Sequence, residues 1–184
     1  MTIIPNPRGD EYNLRPGVGA QAPDFTLFAD DDRAWRLSEH HGKVCVLLFY
    51  PQNETLVCTK QLCLLRDNWQ DYKATKAEIV GISPSTPLEN VEFSQRRRLP
   101  IPLLADPDRL VTRVFGKHGL FPIQFTRAVV VIDGKGFIRS RRVMLRAFRP
   151  SDADVIRAIY EAQNEVLQLK YQKIRTRFSK IANK

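Results

Sequence analysis

The hydrophobic positions of this chain follow two rhythms, short unbroken apolar runs and longer stretches with apolar residues three and four apart. The strongest run, Lys43-Val-Cys-Val-Leu-Leu-Phe-Tyr50, is closed by Pro51 and reads as a central strand buried on both faces. Glu78-Ile-Val-Gly-Ile-Ser83 predicts a second buried strand, Ile101–Leu104 a short one, and Arg127–Asp133 a strong one. The last turns at Gly134-Lys-Gly136 into Phe137-Ile-Arg-Ser, a hairpin. Asp24-Phe-Thr-Leu-Phe alternates as a strand does, and Ala34-Trp-Arg-Leu can pair with it after the Asp30-Asp-Asp turn. Between these lie helical patterns: Thr55 or Leu56 to about Ala74, with Thr55 as cap; Pro87 to Arg98; and Asp108 to Phe115. A last helix opens at Pro150-Ser151, with Ser151 as cap and Asp154 as its partner. Val155, Ile159, Ala162, Val166 and Leu169 form its apolar stripe, which reads as core packing.

Strands alternating with helices, followed by a hairpin and a final helix, predict an α/β sandwich around a mixed central sheet flanked by helices. An N-terminal hairpin and a long C-terminal helix are added to it. Residues 1–20 hold three prolines and no clear period, and read as an arm. The domain is expected over 21–165, with 166–184 as a basic extension of the last helix. At 184 residues, 43% of them apolar, the chain can bury a sizeable core without disulfide staples.

Three cysteines, an odd number, argue against a secreted disulfide framework and for a reducing compartment. The start has no signal-peptide pattern and no apolar run is long enough to span a bilayer, so a soluble, cytoplasmic protein without a membrane partner is expected. The net charge of +9 is uneven: residues 166–184 carry six bases and no acid, leaving +3 for the rest. A second basic group is Arg139, Arg141, Arg142, Arg146 and Arg149. No nucleic-acid recognition motif accompanies this charge, so it reads as a solvated face plus a basic tail. His40 and His41 are adjacent and His118 is isolated, and no cysteine–histidine spacing suits a metal; neither metal nor cofactor is expected.

The chemistry concentrates at Cys58 and Cys63, just past the strand. A free thiol has a pKa of about 8.5. In the first turn of a helix, unsatisfied N–H groups and the positive end of the dipole face the sulfur and favour thiolate. Thr55 can offer its hydroxyl to the sulfur or to a substrate oxygen, and Pro51, lacking an N–H, forms a dry wall. Polar Asn53, Glu54, Thr59 and Lys60 around Cys58 argue against an inert thiol, whereas Cys45, among Val, Leu and Phe, reads as a small core residue. On an ideal helix, residues five apart have Cα atoms roughly 8.6 Å apart, beyond the limit of about 7 Å for a disulfide. Bridging Cys58 to Cys63 therefore requires the first turns to unwind.

The stretch Phe49-Tyr-Pro51-Gln-Asn-Glu-Thr55-Leu-Val-Cys58 resembles the signature of the peroxiredoxins. The second cysteine five residues on, followed by Arg66-Asp67, resembles the bacterioferritin-comigratory, or Q-type, subfamily. Further landmarks are Ala22-Pro-Asp-Phe-Thr-Leu27, Leu37-Ser38, Gly42-Lys43, Val80-Gly-Ile-Ser83, Leu103-Leu-Ala-Asp106, Phe115-Gly116, and Arg127 leading into Val131-Ile-Asp133. The resemblance implies a thioredoxin-like fold and a peroxidase acting on hydrogen peroxide and alkyl hydroperoxides. Cys58 would attack the peroxide, Thr55 would hydrogen-bond it, Arg127 would stabilise thiolate and transition state, and Pro51 would shield the oxidised sulfur. Cys63 would resolve the sulfenic acid as an intramolecular disulfide, reduced in turn by thioredoxin or a similar dithiol, in a monomer or weak homodimer. Two departures stand out. Leu56-Val57 replaces the usual Pro-Gly, and Gln61-Leu62 replaces Glu-Ala. The competing readings are a thiol–disulfide oxidoreductase on the same fold, for which Cys-x-x-Cys spacing would be normal, and a non-enzymatic basic interaction protein.

Overall fold

The computed structural model describes residues 16–115, 126–145 and 147–164. One mixed sheet of seven strands has the order β2-β1-β5-β4-β3-β6-β7. The strands are β1 (Thr26–Ala29), β2 (Ala34–Arg36), β3 (Cys45–Phe49), β4 (Glu78–Ser83), β5 (Leu103–Ala105), β6 (Thr126–Ile132) and β7 (Ile138–Leu145). β3, β4 and β5 are parallel neighbours, while β6 and β1 join antiparallel at either side. The N-terminal hairpin is therefore part of the main sheet, attached through β1 to β5.

Every residue of β3 is buried, because both faces of the sheet are covered. Val46 and Leu48 point into a core completed by Leu62, Leu65, Tyr72, Phe93 and Ile159. Cys45, Leu47 and Phe49 point into the opposite core with Phe25, Trp35, Val111 and Phe115. The period-2 alternation of a strand thus feeds two separate hydrophobic layers. α1 (Leu56–Asp67), α2 (Trp69–Ala74) and α3 (Pro87–Arg97) supply the first, joined by α5 at residues 152–164. α4 (Leu110–Phe115) packs on the second.

Several boundaries differ from those read in the sequence, three of them for reasons visible in named contacts. The single helix expected to Ala74 is broken at Asn68, whose backbone leaves the helical region at φ −96 and ψ 19. Its side chain donates to Asp152 at 2.8 Å, and Tyr72 Oη donates to the same carboxylate at 2.8 Å. This ties the break to the start of α5, and Asn pays little for leaving a helix interior. β5 starts at Leu103 rather than Ile101, since Pro102 has no N–H to give the ladder and only its carbonyl takes part, accepting from Gly81 N at 3.0 Å. α4 starts at Leu110 because the buried Asp106 carboxylate gathers Val111 N at 3.3 Å and Thr112 N at 2.7 Å, capping from four residues upstream. Burial pushes the Asp106 carboxyl up, against the pull of those bonds from Thr112, Val111 and Leu110.

The cap at Ser151 forms as expected, with Asp154 N donating to Ser151 Oγ at 3.2 Å. Of the apolar stripe on α5, Val155, Ile159 and Ala162 are buried; Val166 and Leu169 lie outside the described residues, as do most of the N-terminal arm and the basic extension at 166–184. No helix among the described residues is long and apolar enough to cross a membrane.

Ile159, fully buried between α5 and the sheet, tests this packing. Ile159→Ala is expected to cost about 2–5 kcal/mol of unfolding free energy in a urea titration. A loss below about 0.5 kcal/mol would mean that α5 is not part of the core.

Candidate active site

β3 delivers the chain to the site and α1 receives it. Tyr50 N still bonds to Ile82 O across to β4 at 3.0 Å, and Pro51, itself buried, then leads the chain out of the sheet. A network of buried polar groups flanks this exit. Tyr50 Oη donates to Asn53 Oδ1 at 3.0 Å, and Asn53 Nδ2 donates to Asn90 Oδ1 at 3.0 Å. Ser83 Oγ also donates to Asn90 Oδ1, at 3.3 Å. Burial pushes the Tyr50 hydroxyl up, so it stays a neutral donor. These bonds tie the segment between β3 and α1 to α3.

Thr55 is the N-cap of α1, its Oγ1 accepting from Cys58 N at 3.4 Å. Cys58 is thereby the third residue of the helix, in the first turn where free N–H groups and the dipole favour negative charge. Its side chain is fully buried. The polar neighbours in sequence do not open the site to solvent, and Cys58 packs with Val46, Leu48 and Leu62.

Arg127 comes from across the sheet. β6 runs antiparallel to β3, in a register that pairs Phe49 with Ala128. Arg127 therefore stands at the end of β3, beside the start of α1. It is 1% exposed, so it is not a solvated charge at the edge of the strand. Its Nη2 donates to Cys58 Sγ at 3.2 Å, and its Nη1 donates to Gln61 Oε1. Gln61 is the site residue that sequence reasoning missed. The clue was its position: one turn after Cys58, three residues on, it shares a helix face with the sulfur.

Thr55, Cys58 and Arg127 are thus brought together, and Pro51, itself buried, ends β3 just ahead of the cap. Cys63 is not in that cluster. It sits further along an intact α1, partly exposed, and it is a free thiol, as are Cys58 and Cys45. Burial pushes the Cys45 thiol up to about 12, with Glu78 adding to the shift. Among the described residues no group of three or more His, Cys, Asp or Glu could hold a metal ion. The described part of the second basic group is engaged within the fold. Arg139 pairs with Asp133 at 2.7 Å, Arg141 donates to Phe115 O at 3.0 Å, and Arg142 lies 3.5 Å from Asp154. Arg149 donates to Pro150 O at 3.5 Å, and Arg146 lies outside the described residues.

A buried sulfur at a helix N-terminus, in contact with a guanidinium that an amide holds in place, is a site built for thiolate nucleophilic chemistry. Comparison with known proteins agrees on the class. Residues 18–141 match the AhpC/TSA family, and the chain belongs to that family. It is 38% identical over 122 residues to a chloroplastic peroxiredoxin Q of Triticum aestivum, covering 66% of this chain and 56% of that protein. The chain thus spans little more than half the length of that curated relative. The crystal structure of peroxidoxin BcpB from Mycobacterium tuberculosis superposes with a TM-score of 0.66 at 28% identity, covering 81% of this chain and 97% of the other. Reduced 2-Cys peroxiredoxin from Plasmodium vivax superposes with a TM-score of 0.71 at 24% identity over 80% and 82% of the two chains. The α/β architecture is the thioredoxin fold of these proteins.

The raised pKa of Cys45 has a measurable consequence. Iodoacetamide at pH 8 should leave Cys45 unmodified in the native protein and label it only after unfolding, since well under 1% of such a thiol is ionised there. A raised folded pKa favours the folded state below the unfolded value and loses that contribution as pH rises toward about 12. Cys45→Ala should therefore flatten the fall in stability above about pH 9. Rapid labelling of Cys45 in the folded protein would contradict its placement.

Proposed function

We propose that the chain is a thiol peroxidase that reduces hydrogen peroxide and alkyl hydroperoxides through Cys58 and Cys63. The observation that carries this is the contact of Arg127 Nη2 with Cys58 Sγ in the first turn of α1. The family membership and the relatives' names support the same reaction.

In the first step the Cys58 thiolate attacks one peroxide oxygen. The S–O bond forms as the O–O bond breaks, and the second oxygen leaves as hydroxide or alkoxide and takes a proton. Arg127 lies where it can donate both to the sulfur and to the oxygens gaining charge, and preorganised donors of this kind carry much of a barrier reduction. Gln61 keeps the guanidinium from swinging away. Thr55 Oγ1 already accepts from Cys58 N, leaving its own proton for a peroxide oxygen. The sulfenic acid formed then meets the Cys63 thiol, giving an S–S bond and releasing water. A dithiol reductant of the thioredoxin type restores both thiols. The second step needs α1 to unwind, as the helical spacing of the two cysteines requires. That same spacing disfavours a general thiol–disulfide oxidoreductase, whose cysteines must bridge repeatedly without such a step. The odd number of cysteines supports a reducing, cytoplasmic setting for the chain.

Variants read by peroxide consumption with a thioredoxin system separate the roles. Cys58→Ser should reduce turnover to background; retained turnover would remove the proposal. Cys63→Ser should leave the first oxidation intact but stop cycling, with sulfinic acid accumulating at Cys58. Continued recycling would assign resolution to another thiol. Arg127→Met should slow the first oxidation by about 10²-fold or more, the usual cost of losing a transition-state donor. An unchanged rate would make Arg127 purely structural.

A further inference from the structure

The segment that must unwind is fastened at both ends to the same residue of α3. Ahead of α1, the Glu54 carboxylate accepts from Arg96 Nη1 at 2.8 Å and from Arg97 Nη2 at 2.7 Å. Beyond Cys63, Arg66 Nη1 donates to the backbone carbonyl of Arg97 at 2.7 Å. Residues 54–66, which carry both cysteines, are thus clasped to the last turn of α3. The backbone at Glu54 is in the left-handed region, φ 57, unfavourable for a residue with a Cβ. The two ion pairs hold its side chain against α3, and the residue leads directly into the cap at Thr55.

We infer that Glu54, through Arg96 and Arg97, is a positioning residue that holds the start of α1 folded and so sets how oxidised Cys58 partitions between its two fates. The inference rests on the peroxidase reading above. In one fate the Cys58 sulfenic acid loses water to Cys63 and becomes a disulfide. In the other it meets a second peroxide, gains an oxygen as water leaves, and becomes a sulfinic acid. The first requires α1 to open and the second does not. A stronger clasp therefore lengthens the life of the sulfenic acid and favours over-oxidation. Glu54 is the informative position because Arg66 and Arg97 also act elsewhere: the guanidinium of each is raised by its carboxylate partner, Asp67 or Glu54, and further by the nearby Cys63 sulfur. Changing an arginine would remove a positive charge beside Cys63 together with the clasp, whereas changing Glu54 leaves both arginines in place.

Glu54 and its partners are partly exposed, with 38%, 59% and 36% of the Glu54, Arg96 and Arg97 side chains accessible. The clasp is therefore of modest strength and open to salt. Glu54→Gln should raise amide hydrogen exchange of residues 56–61 in the reduced protein by about three- to tenfold. It should raise the peroxide concentration that half-converts Cys58 to sulfinic acid by a similar factor, with the first oxidation changed less than about twofold. Raising sodium chloride from about 0.05 to 0.5 M should move the natural protein the same way and leave the variant nearly unmoved. Glu54→Gly, which accepts the positive φ without strain, should match Glu54→Gln and show that the charge pair is responsible. Unchanged exchange, or faster exchange with unchanged partition, overturns the inference and leaves the peroxidase reading standing. A natural protein that forms no Cys58–Cys63 disulfide with peroxide overturns that reading itself, and the partition with it.

Discussion

A guanidinium buried to 1% exposure has to be paired, and in this protein its pairing forms the candidate active site. Arg127 spans from the end of β6 to Cys58 Sγ at 3.2 Å and to the Gln61 amide on the same helix. An unpaired charge at that depth would cost several kcal/mol, so strand register and helix start must agree to within a fraction of an ångström. The register of β6 on β3 fixes one side of the contact. The Tyr50–Asn53–Asn90 network and the Thr55 cap fix the other. The thiol is positioned, dried and supplied with a positive neighbour by the same constraint that keeps the fold consistent.

That rigidity stands against what a second cysteine on the same helix demands. In the proposed reaction Cys58 attacks from an intact α1, because the cap, the dipole and Arg127 all converge on its folded first turn. Cys63 can reach it only when that turn is lost. The core packing of Leu62 and Leu65 secures the middle of the helix. The opening must therefore concentrate at the N-terminal turn, where Leu56 is 90% exposed and buries little on folding. A side chain of that exposure offers little resistance to unwinding, which makes the polar contacts of the preceding loop the larger determinant.

Much of the fold was legible, for reasons that particular residues make plain. The unbroken run ending at Pro51 could only be a strand covered on both faces, and the sheet covers it on both. Thr55 as cap and Ser151 with Asp154 are local arrangements, complete within a few residues, and both formed. What pairs across long separations was hidden. Asn68 breaks the helix because Asp152, 84 residues later, binds its amide. Gln61 stood in view as a departure from the family pattern, but its partner is 66 residues away. Glu54 reads as one polar loop residue among several until α3 brings Arg96 and Arg97 to it. The polar neighbours of Cys58 did not reveal how deeply it is buried, because its packing partners Val46 and Leu48 come from β3.

The central claim is that Cys58 reacts first and Cys63 resolves it. Peptide mass spectrometry of the reduced protein after one equivalent of hydrogen peroxide, with residual thiols alkylated, tests it most directly. The account predicts a Cys58–Cys63 disulfide formed within seconds and Cys45 recovered as the alkylated thiol. All three thiols recovered reduced, or oxidation beginning at Cys45, would contradict it.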